Sequence, residues 1–395
     1  MNAGEDAERR ARVALSFLAD PGDPVLGAAL RSRTAAEILA LTAGADPAGD
    51  LWLSADPEAD ALSRATRKWR RRLSLVPSVA RHAAWQENGL RLVVPSDPEW
   101  PSQLDDLGDA RPLLLWVQGS ADLRYACLRS VSVVGARAAT GYGVNTGLHL
   151  AAGLAERGMT VVSGGAYGID ASAHRGALAA DGLTVAVLAG GLSYRYPVGH
   201  AALFAAVAAQ GILVSECPPD DPPTRPGFLI RNRIIAALGR GTVVVEAALR
   251  SGALNTARHA RDLCRPVMAV PGPVTSEQSA GCHELIREYG AMCVTSARDI
   301  LEHLSPAAEG PGSGPRRGPA VDLDRLDPVA RSVLEHVPAR GGRGSAGVAA
   351  RAGVDLDTAV RELGLLAAAG YVRRNDLGWQ AVRARASGHR GPEAS

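Results

Sequence analysis

The sequence predicts an α/β protein built on a doubly wound parallel sheet. Seven short apolar runs carry that expectation: SVSVVG, TVVSGG, TVAVLAGG, GILVSE, TVVVEA, PVMAVPG and AMCVTS, between Ser130 and Ser296. Continuous β-branched runs of this length suit strands buried on both faces. Roughly 20 to 30 residues separate successive starts, room for a crossover helix each time. Several runs also end in glycine, as strands do where loops turn toward a ligand.

The elements follow in order. Residues 1 to about 85 are rich in Ala and Leu at helical spacing, as in Val13, Leu15, Phe17 and Leu18, then Ile38, Leu39 and Leu41. Pro21, Pro24, Pro47 and Pro57 divide this segment into short helices. Its basic run TRKWRRR, Thr66 to Arg72, reads as a solvated helix face. The sheet domain spans 90–304. A Pro/Gly-rich linker, 305–320, has no means of building a core. The last segment, 321–385, reads as helices over Leu326 to Val337 and Ser345 to Ala352, and a third capped by Asp355. A hairpin, Tyr371 to Val382, turns at Asn375-Asp376-Leu377-Gly378. Three helices followed by a hairpin is the layout of a winged helix-turn-helix, which binds DNA or docks proteins.

Composition removes several function classes. The chain has 395 residues, 46% hydrophobic and 21% charged, which is ordinary for a globular protein of several domains. No apolar run is long enough to span a membrane, and the N-terminus lacks a secretory signal pattern. Five scattered cysteines without a CxxC pair read as reduced thiols, so a cytoplasmic location is expected. Lys68 is the only lysine and follows no glycine-rich loop, which excludes a phosphate-loop ATPase and a Schiff-base lysine in the sheet domain. The net charge of +2 is uneven: residues 1–110 carry 13 basic and 17 acidic groups, while 316–395 carry 13 and 9. A mild basic excess over the later domains permits a polyanionic partner.

The candidate site lies where strands end. Gly135-Ala136-Arg137 follows the first run and Ser163-Gly164-Gly165 ends the second, with Gly190-Gly191 after the third. Glycines let backbone N–H groups approach an anion, and Arg137 adds a forked charge suited to phosphate. GARAATGYG is not GxGxxG, and Ser163 stands where a dinucleotide site needs an acid, so no NAD or FAD is expected. Arg231-Asn232-Arg233 leads the apolar stretch Ile234 to Leu238, and reads as an anion clamp at a helix start. Phe228, one of three phenylalanines, is placed to stack on a base or to fill the core. Asp170 and His174 suggest a hydrolase pair near Ser163, yet no GxSxG elbow exists and Asp170 reads as an N-cap. Cys282-His283-Glu284 lacks partners at ligand spacing, so no metal is expected.

In order along the chain stand DPEWP, VVGAR, TGYG, SGGAYGID, AHRGAL, GGLSYRYP, RNRIIAAL, VVVEA, SGALNTA and VPGPV. Over about residues 90 to 305 this series resembles the DNA-processing protein A (DprA, or Smf) family. The resemblance implies a Rossmann-like doubly wound parallel sheet with a small helical (SAM-like) N-terminal domain and a C-terminal winged-helix domain. It implies no catalysis. It implies instead a homodimeric recombination mediator that protects incoming single-stranded DNA and loads RecA onto it during natural transformation. Its phosphate-binding residues would be Gly135, Arg137, Ser163, Gly164, Gly165, Arg231 and Asn232, with Arg225 and Phe228 beside the same pocket. Ala136 and Ala253 stand where the family usually has serine, and Cys282-His283 replaces the usual Thr-Asn.

Two other readings compete. The first is a nucleotide-processing enzyme of the lysine-decarboxylase-like (LOG) group. Gly241-Thr242 with Glu246 echoes that group's GGxGTxxE loop, and Glu246 would act as general acid or base, although Arg240 breaks the double glycine. The second is a ligand-sensing duplex-DNA regulator acting through the winged helix. The polar face of its third helix carries Asp355, Asp357, Arg361 and Glu362, which is no basic major-groove reader.

Overall fold

The computed structural model describes residues 3–44, 57–304 and 326–382; the expected linker 305–320 lies outside the described residues. The chain divides into two compact units, residues 1–308 and 309–395.

All seven apolar runs become strands of the first unit, joined by two that the pattern left unnamed. In chain order they are β1 (Leu90–Val93), β2 (Leu115–Gln118), β3 (Ser130–Val134), β4 (Thr160–Ser163), β5 (Thr184–Leu188), β6 (Ile212–Ser215), β7 (Thr242–Val244), β8 (Val267–Ala269) and β9 (Met292–Cys293). Among the described residues they form one sheet in the order β1-β2-β6-β5-β4-β3-β7-β8-β9. From β6 across to β9 every pairing is parallel. β2 pairs antiparallel with both β1 and β6. Winding runs outward from β3 in both directions, so the loops after β3 and β7 part at a switch point.

Alternation along the strands sends side chains to two cores. Val134, Val162 and Val244 meet Ile234, Ile235 and Leu238 of the helix Arg225–Leu238 on one face. Val131, Val133, Val161 and Val243 meet Leu150, Ala151 and Leu154 of the helix Gly141–Ala155 on the other. Burial on both faces is why these strands read as unbroken apolar runs.

The N-terminal helices belong to the same compact unit. Val13 and Phe17 of the helix Ala3–Leu18 share a cluster with Trp85, Leu90, Leu92 and Trp116. Arg9 reaches Asp97 at 2.7 Å, and Arg12 donates to the Leu113 carbonyl at 3.1 Å. The run TRKWRRR is not simply a solvated face. Trp69 is fully buried, Lys68 and Arg72 each hold Asp20 at 2.8 Å, and Arg70 Nε donates to the Thr42 carbonyl at 2.8 Å.

The second unit packs helices Pro328–Glu335, Ser345–Ala352 and Leu356–Ala368 around Val333, Val348, Leu363 and Leu366. β10 (Val372–Asn375) and β11 (Gly378–Ala381) close it as an antiparallel hairpin. The first helix is shorter than Leu326 to Val337 because Asp327 caps it with Pro328 in its first turn. Glu362 is buried, with its carboxylate 3.1 Å from Arg361, and does not belong to the polar face. No helix of the described residues is long and apolar enough to cross a membrane.

Candidate nucleic-acid interface

At the carboxyl end of the sheet, the loops after β3, β4 and β7 face the helix Arg225–Leu238 across an open cleft of about 440 Å³. Gly135, Arg137, Phe228, Arg231 and Asn232 line it, together with Asp170, Arg250, Ser251 and Gly252. Gly164 lines an adjoining depression on the other side of Arg137 and Phe228. Five of the nine sequence candidates therefore border one cavity and a sixth its neighbour.

Their roles separate by burial. Arg137 is exposed, with its guanidinium 4.6 Å from the centroid of the half-buried Phe228 ring, a cation–π stack. Arg225 and Arg250 are also exposed. Arg231 is buried: Nη1 donates to the Gly164 carbonyl at 2.6 Å and to the Val187 carbonyl, and Nε to Asn232 Oδ1 at 3.3 Å. A Cβ on Gly164 would lie 2.4 Å from that Nη1, so the loop closes on the guanidinium because residue 164 has no side chain. Burial pushes the Arg231 pKa down to about 10, against the pull of Asp170 and with the help of Arg137. Arg231 remains charged at neutral pH, and the same burial pushes the Asp170 carboxyl up.

The remaining candidates hold the loops. Asn232 Nδ2 donates to the Gly252 carbonyl and to Asn255 Oδ1, both at 3.2 Å. Ser163 Oγ donates to the Val133 carbonyl at 2.7 Å, and the Gly165 carbonyl accepts from His200 Nδ1 at 3.0 Å.

Several sequence expectations need correction. The helix carrying Arg231 begins at Arg225, where Thr224 caps Gly227 N and Pro226 occupies the first turn. Arg231-Asn232-Arg233 thus sits in mid-helix, beyond the reach of the N-terminal dipole. Residues two apart on a helix point away from each other. Arg233 accordingly turns from Arg231 to a buried ion pair with Glu216 at 2.8 Å, so the two arginines form no clamp. Asp170 is not an N-cap; Gly168 holds that position. Ser163 Oγ is engaged with the Val133 carbonyl. His174 is fully buried, with Nδ1 2.7 Å from Thr184 Oγ1. Cys282 is buried, and His283 Nε2 bonds the Gly272 carbonyl at 3.1 Å. Among the described residues no cluster of three His, Cys, Asp or Glu could hold a metal.

The strand-end amides are less free than glycine spacing suggests. Ala136 N donates to the Glu246 carbonyl at 2.6 Å, and Ala166 N to Asp170 at 3.4 Å. Thr140 N and Oγ1 donate to the two carboxylate oxygens of Glu246, at 2.9 and 2.6 Å. Glu246 is 1% exposed and holds Thr140, the residue whose Oγ1 caps the helix Gly141–Ala155 by accepting from Gly143 N. Dinucleotide folds of this type seat a pyrophosphate there. A Cβ at Gly143 would stand 2.2 Å from Glu246 Oε2, so the carboxylate fills the seat tightly. Both carboxylate oxygens of the residue that would serve a nucleotide-cleaving enzyme are engaged by the N-cap Thr140. The sequence reading also missed Arg250 and three tyrosines, Tyr167, Tyr194 and Tyr196, which line the depression beside Arg137. Isolated tyrosines have no spacing signal; only the strand order brings their loops together.

The model of the family described as DNA recombination-mediator protein A matches residues 91–305. A DNA processing protein DprA of Mycobacterium tuberculosis (strain H37Rv) is 47% identical over 307 residues, covering 75% of this chain and 78% of its own. The chain belongs to the DNA recombination-mediator protein A family. DprA of Streptococcus pneumoniae is 40% identical over 205 residues, 52% of this chain and 71% of that one. The X-ray structure of the Streptococcus pneumoniae protein aligns with a TM-score of 0.58 and 31% identity, over 74% of this chain and 95% of that chain. The span matched to the recombination-mediator family holds the entire cleft.

Proposed function

We propose that this chain binds single-stranded DNA in the strand-end cleft and acts as a recombination mediator, without catalysing a reaction. One observation carries the reading: an exposed arginine, Arg137, stacked on a half-buried ring, Phe228, at the border of an open cleft. A cation beside a ring face matches a strand whose phosphates and unpaired bases are both accessible. Arg137, Arg225 and Arg250 neutralise phosphates, Phe228 stacks a base, and Gly135 and Gly164 let the backbone come close. Arg231 lends buried positive charge to the cleft floor, while Ser163, Gly165 and Asn232 fix the loops. The buried Glu246, bonded to Thr140 through both oxygens, supports a binding role over nucleotide cleavage.

The wider reading is supported by family membership alone. The protein works in the cytoplasm as a homodimer through its Rossmann-like domain. It shields incoming single strands during natural transformation and passes them to RecA. The three helices and hairpin of the second unit serve as a winged-helix docking module, and the SAM-like N-terminal helices complete the first unit.

Fluorescence anisotropy with a single strand of about 30 nucleotides and its duplex, titrated with salt, tests the site. Tight single-strand binding should weaken with salt, and Arg137→Ala should flatten the log–log slope by about 0.7, one phosphate contact. Equal affinity for both forms, or a slope unmoved in the variant, contradicts the reading.

A further inference from the structure

We propose that Tyr167, Tyr194 and Tyr196 form a base-stacking platform that holds further nucleotides of a single strand beside the phosphate site. This rests on the single-strand reading above and extends it to residues outside the cleft. Aromatic residues make up only 4% of the chain, with seven tyrosines and three phenylalanines. Three of those tyrosines and Phe228 nevertheless line one depression, reached from the cleft across Arg137. The tyrosines are 50%, 51% and 47% exposed, so large ring surfaces stand half open to solvent.

Two of the rings are braced from behind. Tyr196 meets Phe228 edge-on with centroids 5.8 Å apart, and Tyr167 meets His200 at 4.5 Å. His200 is itself fixed by its bond to the Gly165 carbonyl. A braced ring loses little freedom when a flat partner stacks on it. One cation stands on the rim: Arg137 borders the depression, whereas Arg195 turns away to donate to Gln118 Oε1 at 3.1 Å. Leu188, Ala189, Pro197 and Pro223 form an apolar floor. Half-open rings over an apolar floor, bordered by Arg137 and adjoining the strand-end cleft, match unstacked bases of a strand passing Arg137. Stacking also explains how such a site would bind without reading sequence, because every base has a π-face.

The test measures affinity, at several salt concentrations, for a single strand and for the same strand with abasic sites. Wild type is compared with Tyr194→Ala, Tyr194→Phe and the double variant Tyr167→Ala/Tyr194→Ala, each checked for an unchanged melting temperature. The alanine variants should lose about 5- to 100-fold for the normal strand. Their salt slope should stay unchanged and their abasic-strand affinity should equal that of wild type, while Tyr194→Phe should retain binding. Alanine variants that bind the normal strand like wild type, while Arg137→Ala still weakens binding, overturn the platform and leave the cleft standing. A loss that appears equally on the abasic strand also overturns it. Absence of single-strand binding by the wild type overturns both.

Discussion

Three arginines close together in sequence or space do three different things, and burial decides which. Arg137 keeps its guanidinium in solvent over Phe228, Arg231 lies under the Gly164 loop, and Arg233 is locked to Glu216 with both side chains under 10% exposed. Removing one member of such a pair leaves a buried charge alone. Arg233→Ala should therefore destabilise the first unit by about 3 to 5 kcal/mol in urea unfolding, with little change in the salt slope of strand binding. His174 provides a second check at this scale. Thr184 Oγ1 already donates to the Val161 carbonyl, so the histidine donates from Nδ1 and its Nε2 is buried without a partner. Burial first, then the Arg231 charge, pushes its pKa from 6.5 down to about 3. The unfolded chain binds this proton below about pH 6.5 and the native state does not, so stability falls as pH drops from there toward 3. At pH 5 this linkage costs on the order of 2 kcal/mol. His174→Leu should flatten the stability–pH curve between pH 7 and 5; an unchanged slope would show that the ring is not held neutral.

Among the elements, the helix Gly141–Ala155 shows how this sheet differs from a nucleotide binder. Its N-terminus faces the switch point between β3 and β7, where Thr140 accepts from Gly143 N and Glu246 holds Thr140 in place. Glu246→Ala should cost about 1 to 3 kcal/mol in equilibrium unfolding, because Thr140 N and Oγ1 lose their buried acceptor, and Glu246→Gln should cost less. A destabilisation near zero would mean that the Glu246–Thr140 contact is dispensable. The same element scale shows what was legible in the sequence. The seven parallel strands are visible because burial on both faces leaves unbroken β-branched runs. β1 and β2 pair antiparallel at the edge, and Leu90–Val93 and Leu115–Gln118 carry no such signature because they are leucine-based and include Arg91 and Gln118. The start of the helix at Arg225 was readable in Thr224 and Pro226, but the charged triplet at 231–233 drew the boundary inward. Gly135, Arg137 and Phe228 were legible from strand-end chemistry and motif order. Tyr167, Tyr194, Tyr196 and Arg250 were not, because their proximity arises only from tertiary folding.

The whole molecule places every residue of the cleft and of the tyrosine depression within the first compact unit, residues 1–308. A chain ending at Ala308 should retain single-strand affinity within about threefold, less than 1 kcal/mol. A larger loss in anisotropy would assign part of the strand path to the second unit. The overall charge of +2 is too small to drive binding by itself, so local arginines must carry the electrostatic contribution.

Hydrogen exchange of the full chain, with and without a saturating single strand, tests the location of the site most directly. The structure predicts protection at residues 135–138, 164–168, 225–232 and 248–253, with residues 326–382 unchanged. Protection confined to 326–382, with the strand-end loops exchanging as in the free protein, would contradict it.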